Sequence, residues 1–356
     1  MKKHSVLIDL DRLKDLNNGL GQTALLFGKE ISKLDESQIQ FTFLVPKKFN
    51  GFFGTNVLYE NISLTRRYLP SVCRRYDMWH SIHQDSAFLP SSLDTPILLT
   101  INDLNFLFEK NPQKAEQRLH RLQRKVDRSK IISVISEYTK ESVLKYLSLP
   151  SDKVIVVQHG VEVKSFSSPQ RPEYTPNGEL LFSIGVVQEK KNQKTLVEMM
   201  KHLPERYSLV IAGNKGGSYA EELQAAINEA KLEQRIILPG MISDEDKYWC
   251  LSNCKALLFP SKYEGFGIPP IEAMRMGKPV FASTLSSIPE VCGDHAFYWE
   301  SFDPRTMANL FLEGMTLFEK DPGRAERANL HSQQFAWSNN VQNYLQLYKR
   351  LLGLSV

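Results

Sequence analysis

The chain has 356 residues, 42% of them apolar and 24% charged, with a formal net charge of +4 at pH 7. That length suits two domains better than one core, and the balance is that of an ordinary globular protein. No apolar run reaches the ~18–20 residues of a membrane-spanning helix, no P-loop or GxGxxG fingerprint points to an NTPase or a standard dehydrogenase, and the basic residues lack the interleaved aromatics of a nucleic-acid motif.

Charge is unevenly spread. Residues 1–165 carry 24 Lys and Arg against 18 Asp and Glu, and the remainder 20 against 22. A mildly basic first half fits an acidic or membrane-bound acceptor, and equally a common surface. Cys73, Cys250, Cys254 and Cys292 have no disulfide spacing, which agrees with a reducing cytoplasm. Cys250 and Cys254 are helical i,i+4 neighbours without a second Cys or His pair, so core packing is expected of them over metal binding.

The opening MKKHSVLIDLD reads as a first strand at 6–9 and not as a signal peptide. A polar, flexible loop at Asn17, Asn18, Gly19 and Gly21 follows, then an amphipathic helix over 23–34. Residues 40–45 alternate Phe41, Phe43 and Val45 as a strand. Residues 50–54, crowded with Phe and Gly, read as an acceptor-side loop or as packing beneath a crossover. His80 and His83 stand three apart near a strand end, so their rings point to opposite faces, and either is a candidate to line a cleft. A strand over 96–100 leads to Asn102 and to Asp103, a helix cap or a cleft carboxylate.

The long helix expected over 112–130 has Leu119, Leu122 and Val126 on one face and Arg118, Arg121, Lys125 and Arg128 on another. The second face suits anionic headgroups or plain solvent. A strand over 131–135 precedes Ser136, a good N-cap, and a strand at 154–157 closes this half. Residues 166–179, rich in Ser and Pro without periodicity, read as a linker and hinge. Strands at 180–184, 208–212 and 236–238 then alternate with helices near 193–203, 219–230 and 244–252, the pattern of a second parallel sheet. Lys190 and Lys191 follow the strand that ends at Gly185, where they could stabilise phosphate charge.

After a buried strand at 256–259, Gly265 and Gly267 bracket Phe266, and Pro269 and Pro270 begin a helix that Gly277 and Pro279 end. A strand, a glycine turn and a helix N-terminus in that order make an anion site at the carboxyl end of an open sheet. A last helix is expected over 337–352, with Val341, Tyr344, Leu345 and Tyr348 in register.

The pattern EGFGxPxxE from Glu264 to Glu272, followed by GxPV, resembles the retaining family 4 glycosyltransferases (glycosyl transferases group 1). Residues 183–192 (SIGVVQEKKN), 211–213 (IAG), 287–294 (SIPEVCGD) and the pair Phe335 and Trp337 add to the likeness, which is strongest over 180–300. The resemblance implies an α/β protein of the GT-B fold, two Rossmann-like domains with parallel sheets facing a central cleft. An acceptor-binding domain over 1–165, joined by a C-terminal helix 338–356, and a donor domain over 180–337 are expected. It further implies transfer of a hexose, mannose first, from a nucleotide-diphosphate sugar to a glycan or lipid-linked acceptor in cell-surface polysaccharide synthesis. The setting would be cytoplasmic, with peripheral contact at the inner face of the membrane through the basic first half.

By the same resemblance Glu272 binds the ribose hydroxyls and Glu264 lies against the donor sugar. Gly265, Phe266, Gly267 and Ile268 present backbone N–H groups, Gly240, Met241 and Ile242 hold the base, and Gly19 and Gly21 cover the donor phosphates. Asn102 and Asp103 fall near the transferring sugar. Asn102 stands where the family usually has histidine, and Val186 where many members have arginine, so the cationic clamp rests on Lys190 and Lys191. No cofactor, nucleic acid or metal is expected, because no Asp-x-Asp pair stands at a plausible site for a divalent ion. A catalytically degenerate sugar-nucleotide-binding protein and a GT-B sugar-nucleotide epimerase are the alternatives.

Overall fold

A computed structural model describes residues 3–16, 18–109, 111–162, 164 and 166–355. Asn17 of the expected glycine loop and Ser165, the expected end of the first domain, lie outside the described residues. The chain divides into two compact units, Met1–Gly160 with Phe335–Val356, and Val161–Gln334.

The first unit holds β1 (His4–Asp9), β2 (Ile39–Val45), β3 (Leu58–Asn61), β4 (Met78–Ser81), β5 (Ile97–Ile101), β6 (Ile131–Val134) and β7 (Val154–Val156). They pair in the order β3-β2-β1-β4-β5-β6-β7, always parallel. Every residue of β4, β5 and β6 is buried, which is why these strands read as continuous apolar runs rather than alternating ones. Successive side chains still face opposite sides. Val6, Ile8 and Met78 pack with Phe27 and with Val341, Tyr344 and Tyr348 of the terminal helix Trp337–Leu352. Leu7, Trp79 and Leu99 pack with Leu122, Val126 and Val143 on the other face.

Three expectations change here. Helix Gly19–Ile31 starts earlier than expected: Asn18 caps it by accepting the Gly21 N–H at 2.8 Å, so Gly19 and Gly21 form its first turn and not a flexible loop. A Cβ on Gly21 would stand 1.8 Å from the Asp15 carbonyl oxygen, so close approach explains that glycine. Phe53 is buried against Phe43, ring centroids 5.2 Å apart, which resolves 50–54 as packing. Third, the cationic face of helix Pro112–Arg128 is largely spoken for. Arg118 pairs with Asp85, Lys125 donates to the Gln84 and Ser86 carbonyls at 2.7 and 2.6 Å, and Arg128 donates to those of Pro90 and Ser92.

The second unit holds β8 (Glu179–Ile184), β9 (Tyr207–Ala212), β10 (Ile236–Gly240), β11 (Ala256–Phe259), β12 (Val280–Ser283) and β13 (Phe297–Trp299), in the order β10-β9-β8-β11-β12-β13. All pairings are parallel. The Ser- and Pro-rich stretch lies inside this unit, with the Phe166 ring 5.9 Å from Tyr248 and the Tyr174 hydroxyl 3.3 Å from Asp246. Cys250, Cys254 and Cys292 are free, buried thiols whose pKa burial pushes up to about 12, as core residues. Among the described residues no helix is long and apolar enough to cross a membrane.

In both sheets the chain steps outward one way from its first strand and then resumes on that strand's other side. The reversal points lie between β1 and β4 and between β8 and β11. Loops leaving such neighbours diverge and open a crevice at the carboxyl ends of the strands. In the second unit that crevice is floored by glycine. Gly185 N–H donates to the Ala212 carbonyl at 3.0 Å and Gly213 N–H to that of Gly240 at 2.8 Å. Gly213 has φ 147°, and a Cβ there would stand 1.8 Å from the Gly185 carbonyl oxygen. Gly213→Ala is therefore expected to cost the second unit about 2 kcal/mol, read as a lowered denaturation midpoint.

Candidate functional site

β8 leaves its sheet through Gly185, exposed Val186 and a 3-10 turn, Glu189–Lys191; its neighbour β11 leaves through Ser261 to Gly267. The two loops meet at one ion pair. Lys191 Nζ lies 2.5 Å from Glu264 Oε1, and the side chains are only 14% and 12% exposed. The Ser261 hydroxyl donates to the same Oε1 at 2.6 Å, and the Glu264 N–H donates to Ser286 Oγ at 3.0 Å. Lys191 Nζ also stands 5.3 Å from the Phe259 ring centroid, a favourable seat for a cation. Lys190 contributes its carbonyl, which accepts the Lys262 N–H at 2.7 Å and ties the two loops together.

Beyond Glu264, Gly265, Phe266 and Gly267 are buried, and the Ser287 hydroxyl lies 3.0 Å from the Phe266 carbonyl oxygen. Gly267 takes φ 104°, where a Cβ would meet Ile288 Cδ1 at 2.7 Å, and precedes helix Ile268–Arg275. Because Pro269 and Pro270 carry no N–H, Ile268 is the one residue of that helix's first three with a donor to offer. Glu272 lies one turn further on, 5% exposed, with Lys247 Nζ at 2.9 Å and Tyr248 Oη at 3.3 Å from its Oε1. Burial raises its pKa, and the Lys247 charge pulls it back. Tyr248 Oη is also 3.0 Å from the Glu162 carbonyl oxygen.

At the end of β10, Gly240 has φ 89°, Met241 is 59% exposed and Ile242 half-buried. Lys215 Nζ donates to the Leu238 carbonyl at 2.9 Å, and its chain runs past the face of Gly240. This places the exposed Met241 side chain beside the glycine floor.

The remaining sequence-derived residues sit in the first unit. Asn102 is buried, its N–H donating to Gln84 Oε1 at 3.1 Å and its Nδ2 to the Ile82 carbonyl at 3.3 Å. Asp103 Oδ1 accepts the Asn105 N–H at 2.9 Å, just ahead of helix Phe106–Glu109. Asn102, Thr23, His159 and Asn340 line a cavity of about 20 Å³, room for one water. His159 Nδ1 donates to the Gly160 carbonyl at 2.6 Å, and Thr23 Oγ1 lies 2.9 Å from Nε2. His80 is a core histidine, its ring nitrogens 2.8 Å from Tyr348 Oη and 2.9 Å from Thr100 Oγ1.

Sequence reasoning missed two groups. Lys247 and Tyr248 belong to helix Asp244–Asn253, and no spacing ties them to Glu272. In the first unit, a polar cluster gathers after β1 and β4: Asp9 Oδ1 accepts the Asp11 N–H at 3.0 Å, its Oδ2 meets the Ser86 hydroxyl, and Arg12 Nη2 lies 3.1 Å from His83 Nδ1. Burial, with Asp11 alongside, lifts the Asp9 pKa to about 8. Of this cluster the sequence had singled out only His83; Asp9 and Arg12 come from a segment some seventy residues away, and their position at the strand reversal is the signal that could have flagged them.

Residues 167–335 match the family model described as glycosyl transferases group 1. It is 26% identical over 242 residues to the serotype-specific mannosyltransferase WbdA of Escherichia coli, covering 64% of this chain and 30% of WbdA. It is 26% identical over 289 residues to the O-antigen chain mannosyltransferase B of Escherichia coli (76% and 74% covered). It is 24% identical over 356 residues to the O-antigen chain mannosyltransferase RfbU of Salmonella typhimurium (95% and 97%). The match thus spans under a third of WbdA and nearly all of RfbU. Among solved structures, Anabaena HepE in complex with UDP-glucose has a TM-score of 0.74 at 16% identity (97% and 100% covered). A glycosyltransferase from Rickettsia africae has 0.76 at 16% (100% of both chains). These likenesses define the fold as GT-B, built here from two Rossmann-like units with parallel sheets.

Proposed function

We propose that the protein is a retaining hexosyltransferase that moves mannose from a nucleotide-diphosphate sugar to a glycan or lipid-linked acceptor in cell-surface polysaccharide synthesis. The observation that carries this is the part-buried Lys191–Glu264 pair at the reversal point of the second sheet. It sets a cation for a diphosphate and a carboxylate for sugar hydroxyls side by side. The names of the mannosyltransferase relatives support the sugar and the polysaccharide.

The C–O bond between the anomeric carbon and the diphosphate breaks, and the bonding pair leaves with the phosphate. Lys191 and Lys190 stabilise that charge as it grows. The acceptor oxygen bonds the same face of the carbon, and its proton passes to the departing phosphate oxygen, so no side-chain nucleophile is used. Glu264 accepts from the sugar hydroxyls, Glu272 from the ribose, Met241 and Ile242 flank the base beside Gly240, and the Gly265–Ile268 turn offers N–H groups to the phosphates. Gly19 and Gly21 are the residues proposed for the donor phosphates, and Asn102 and Asp103 those for the transferring sugar. In this reading the lysines carry the phosphate charge, and no metal is needed for that task. A cytoplasmic setting suits the four free cysteines.

Incubation with GDP-mannose, UDP-glucose and other nucleotide sugars, with and without glycan acceptors, tests the reading. Transfer with retained anomeric configuration supports it; saturable binding without turnover of any donor overturns it. In the same assay Glu272→Ala is expected to weaken nucleoside diphosphate binding by about 1–3 kcal/mol. Calorimetry giving unchanged affinity would remove Glu272 from the site.

A further inference from the structure

We propose that the strap joining β3 to β4 docks the protein on an anionic lipid surface. Residues 61–76 read NISLTRRYLPSVCRRY, with four arginines and no acid. One arginine turns inward. Arg66 is 2% exposed, pairs with Glu60, donates to the Arg74 carbonyl at 3.2 Å and lies 5.9 Å from the ring centroids of both Tyr76 and Trp79. Tyr76 Oη closes on the same Glu60 at 2.5 Å. This anchor fixes the short helix Leu64–Tyr68 and the turn Pro70–Val72 in place and decides what faces out.

What faces out is apolar and cationic together. Leu64, Tyr68, Leu69 and Val72 are 74%, 67%, 59% and 72% exposed, the densest run of bare large apolar side chains among the described residues. Between and after them Arg67, Arg74 and Arg75 are exposed, with no carboxylate at ion-pair distance among the described residues. Arg67 and Arg74 rest instead over the rings of Tyr68 and Tyr76, at 5.2 and 5.3 Å. Water alone gives no reason to expose four large apolar groups in nine residues. A bilayer surface accepts them at the acyl boundary while its phosphates take the guanidinium groups. A protein partner would account for the apolar groups but would itself have to supply several carboxylates. The cationic helix Pro112–Arg128, the candidate from sequence alone, has most of its charges tied to the protein's own carbonyls and Asp85.

The test is co-sedimentation of the full chain with phosphatidylcholine vesicles, with and without about a third phosphatidylglycerol. Binding is expected to the anionic vesicles alone and to weaken as salt rises. Arg67→Gln with Arg75→Gln should lower the partition coefficient roughly 20–30-fold. Leu64→Ser with Val72→Ser should lower it too, and since these side chains are bare, both variants should melt like the parent. Failure of the parent to sediment overturns the proposal and leaves the patch to a protein partner. Unchanged binding of both variants overturns it as well. No donor or acceptor is present, so either failure leaves the transfer reading standing.

Discussion

Lys191→Ala is expected to lower kcat by about 10²–10³-fold, the range for removing one group aimed at charge that develops in the transition state. Donor affinity should change less, because phosphate charge peaks as the bond to the anomeric carbon breaks. The geometry also predicts a side effect. Lys191 is the cation on Glu264, and its loss leaves that part-buried carboxylate with the Ser261 hydroxyl as its remaining side-chain hydrogen-bond partner. Lys191→Arg keeps the charge on a longer, forked group in a space sized for an ammonium against the Phe259 ring, so partial recovery is expected. Steady-state kinetics with a fixed acceptor, beside melting curves of each variant, separate chemistry from packing. A kcat equal to the parent's would remove Lys191 from the reaction. A kcat loss matched by a loss of folded protein would make the pair structural.

What could be read from the chain was local backbone chemistry. Gly267 and Gly277 at positive φ, Pro269 and Pro270 at a helix start, and Ser136 accepting the Thr139 N–H all follow from what one residue permits at one position. Long buried strands such as β5 and β9 announced themselves by composition. What stayed hidden was set by partners far along the chain. Helical periodicity drew the cations of Pro112–Arg128 on one face correctly, but it carries no information that residues 84–92 would pack there and supply carbonyls. Edge strand β3, with Leu58 and Asn61 exposed, has neither alternation nor an apolar run to betray it. Glu272 was visible in its motif, whereas Lys247 and Tyr248, which hold it, were not. The motif residues of the candidate site were thus more legible than the residues that hold them in place.

Acid should destabilise the first unit from about pH 6.5 downward, well above the range in which ordinary carboxylates titrate, because it buries three neutral histidines. Burial lowers His80 and His83 from the usual 6.5 to about 3, His83 with help from the Arg12 charge, and His159 to about 4. Above pH 6.5 these rings are neutral both folded and unfolded and contribute nothing to the pH dependence. Below it the unfolded chain takes up their protons and the native one does not, so each withdraws about 1.4 kcal/mol per pH unit. Asp9 works the other way. With its pKa lifted from 3.8 to about 8, the native state holds a proton that the unfolded chain has released, so stability rises by about 1.4 kcal/mol per unit as pH falls from 8 toward 4. From these four groups, stability should climb gently on acidification to near pH 6.5. It should then fall by about 3 kcal/mol per unit, three histidines against one aspartic acid, down to about pH 4. Calorimetry across that range, with hydrogen exchange of β1, β4 and β5 to identify the transition, reads this directly. His80→Gln should flatten the acid limb by about 1.4 kcal/mol per unit while leaving the rise above pH 6.5 intact, since that rise belongs to Asp9. A transition temperature that holds level from pH 6.5 to 5 would mean that the rings protonate inside the native core, and that burial does not control their charge.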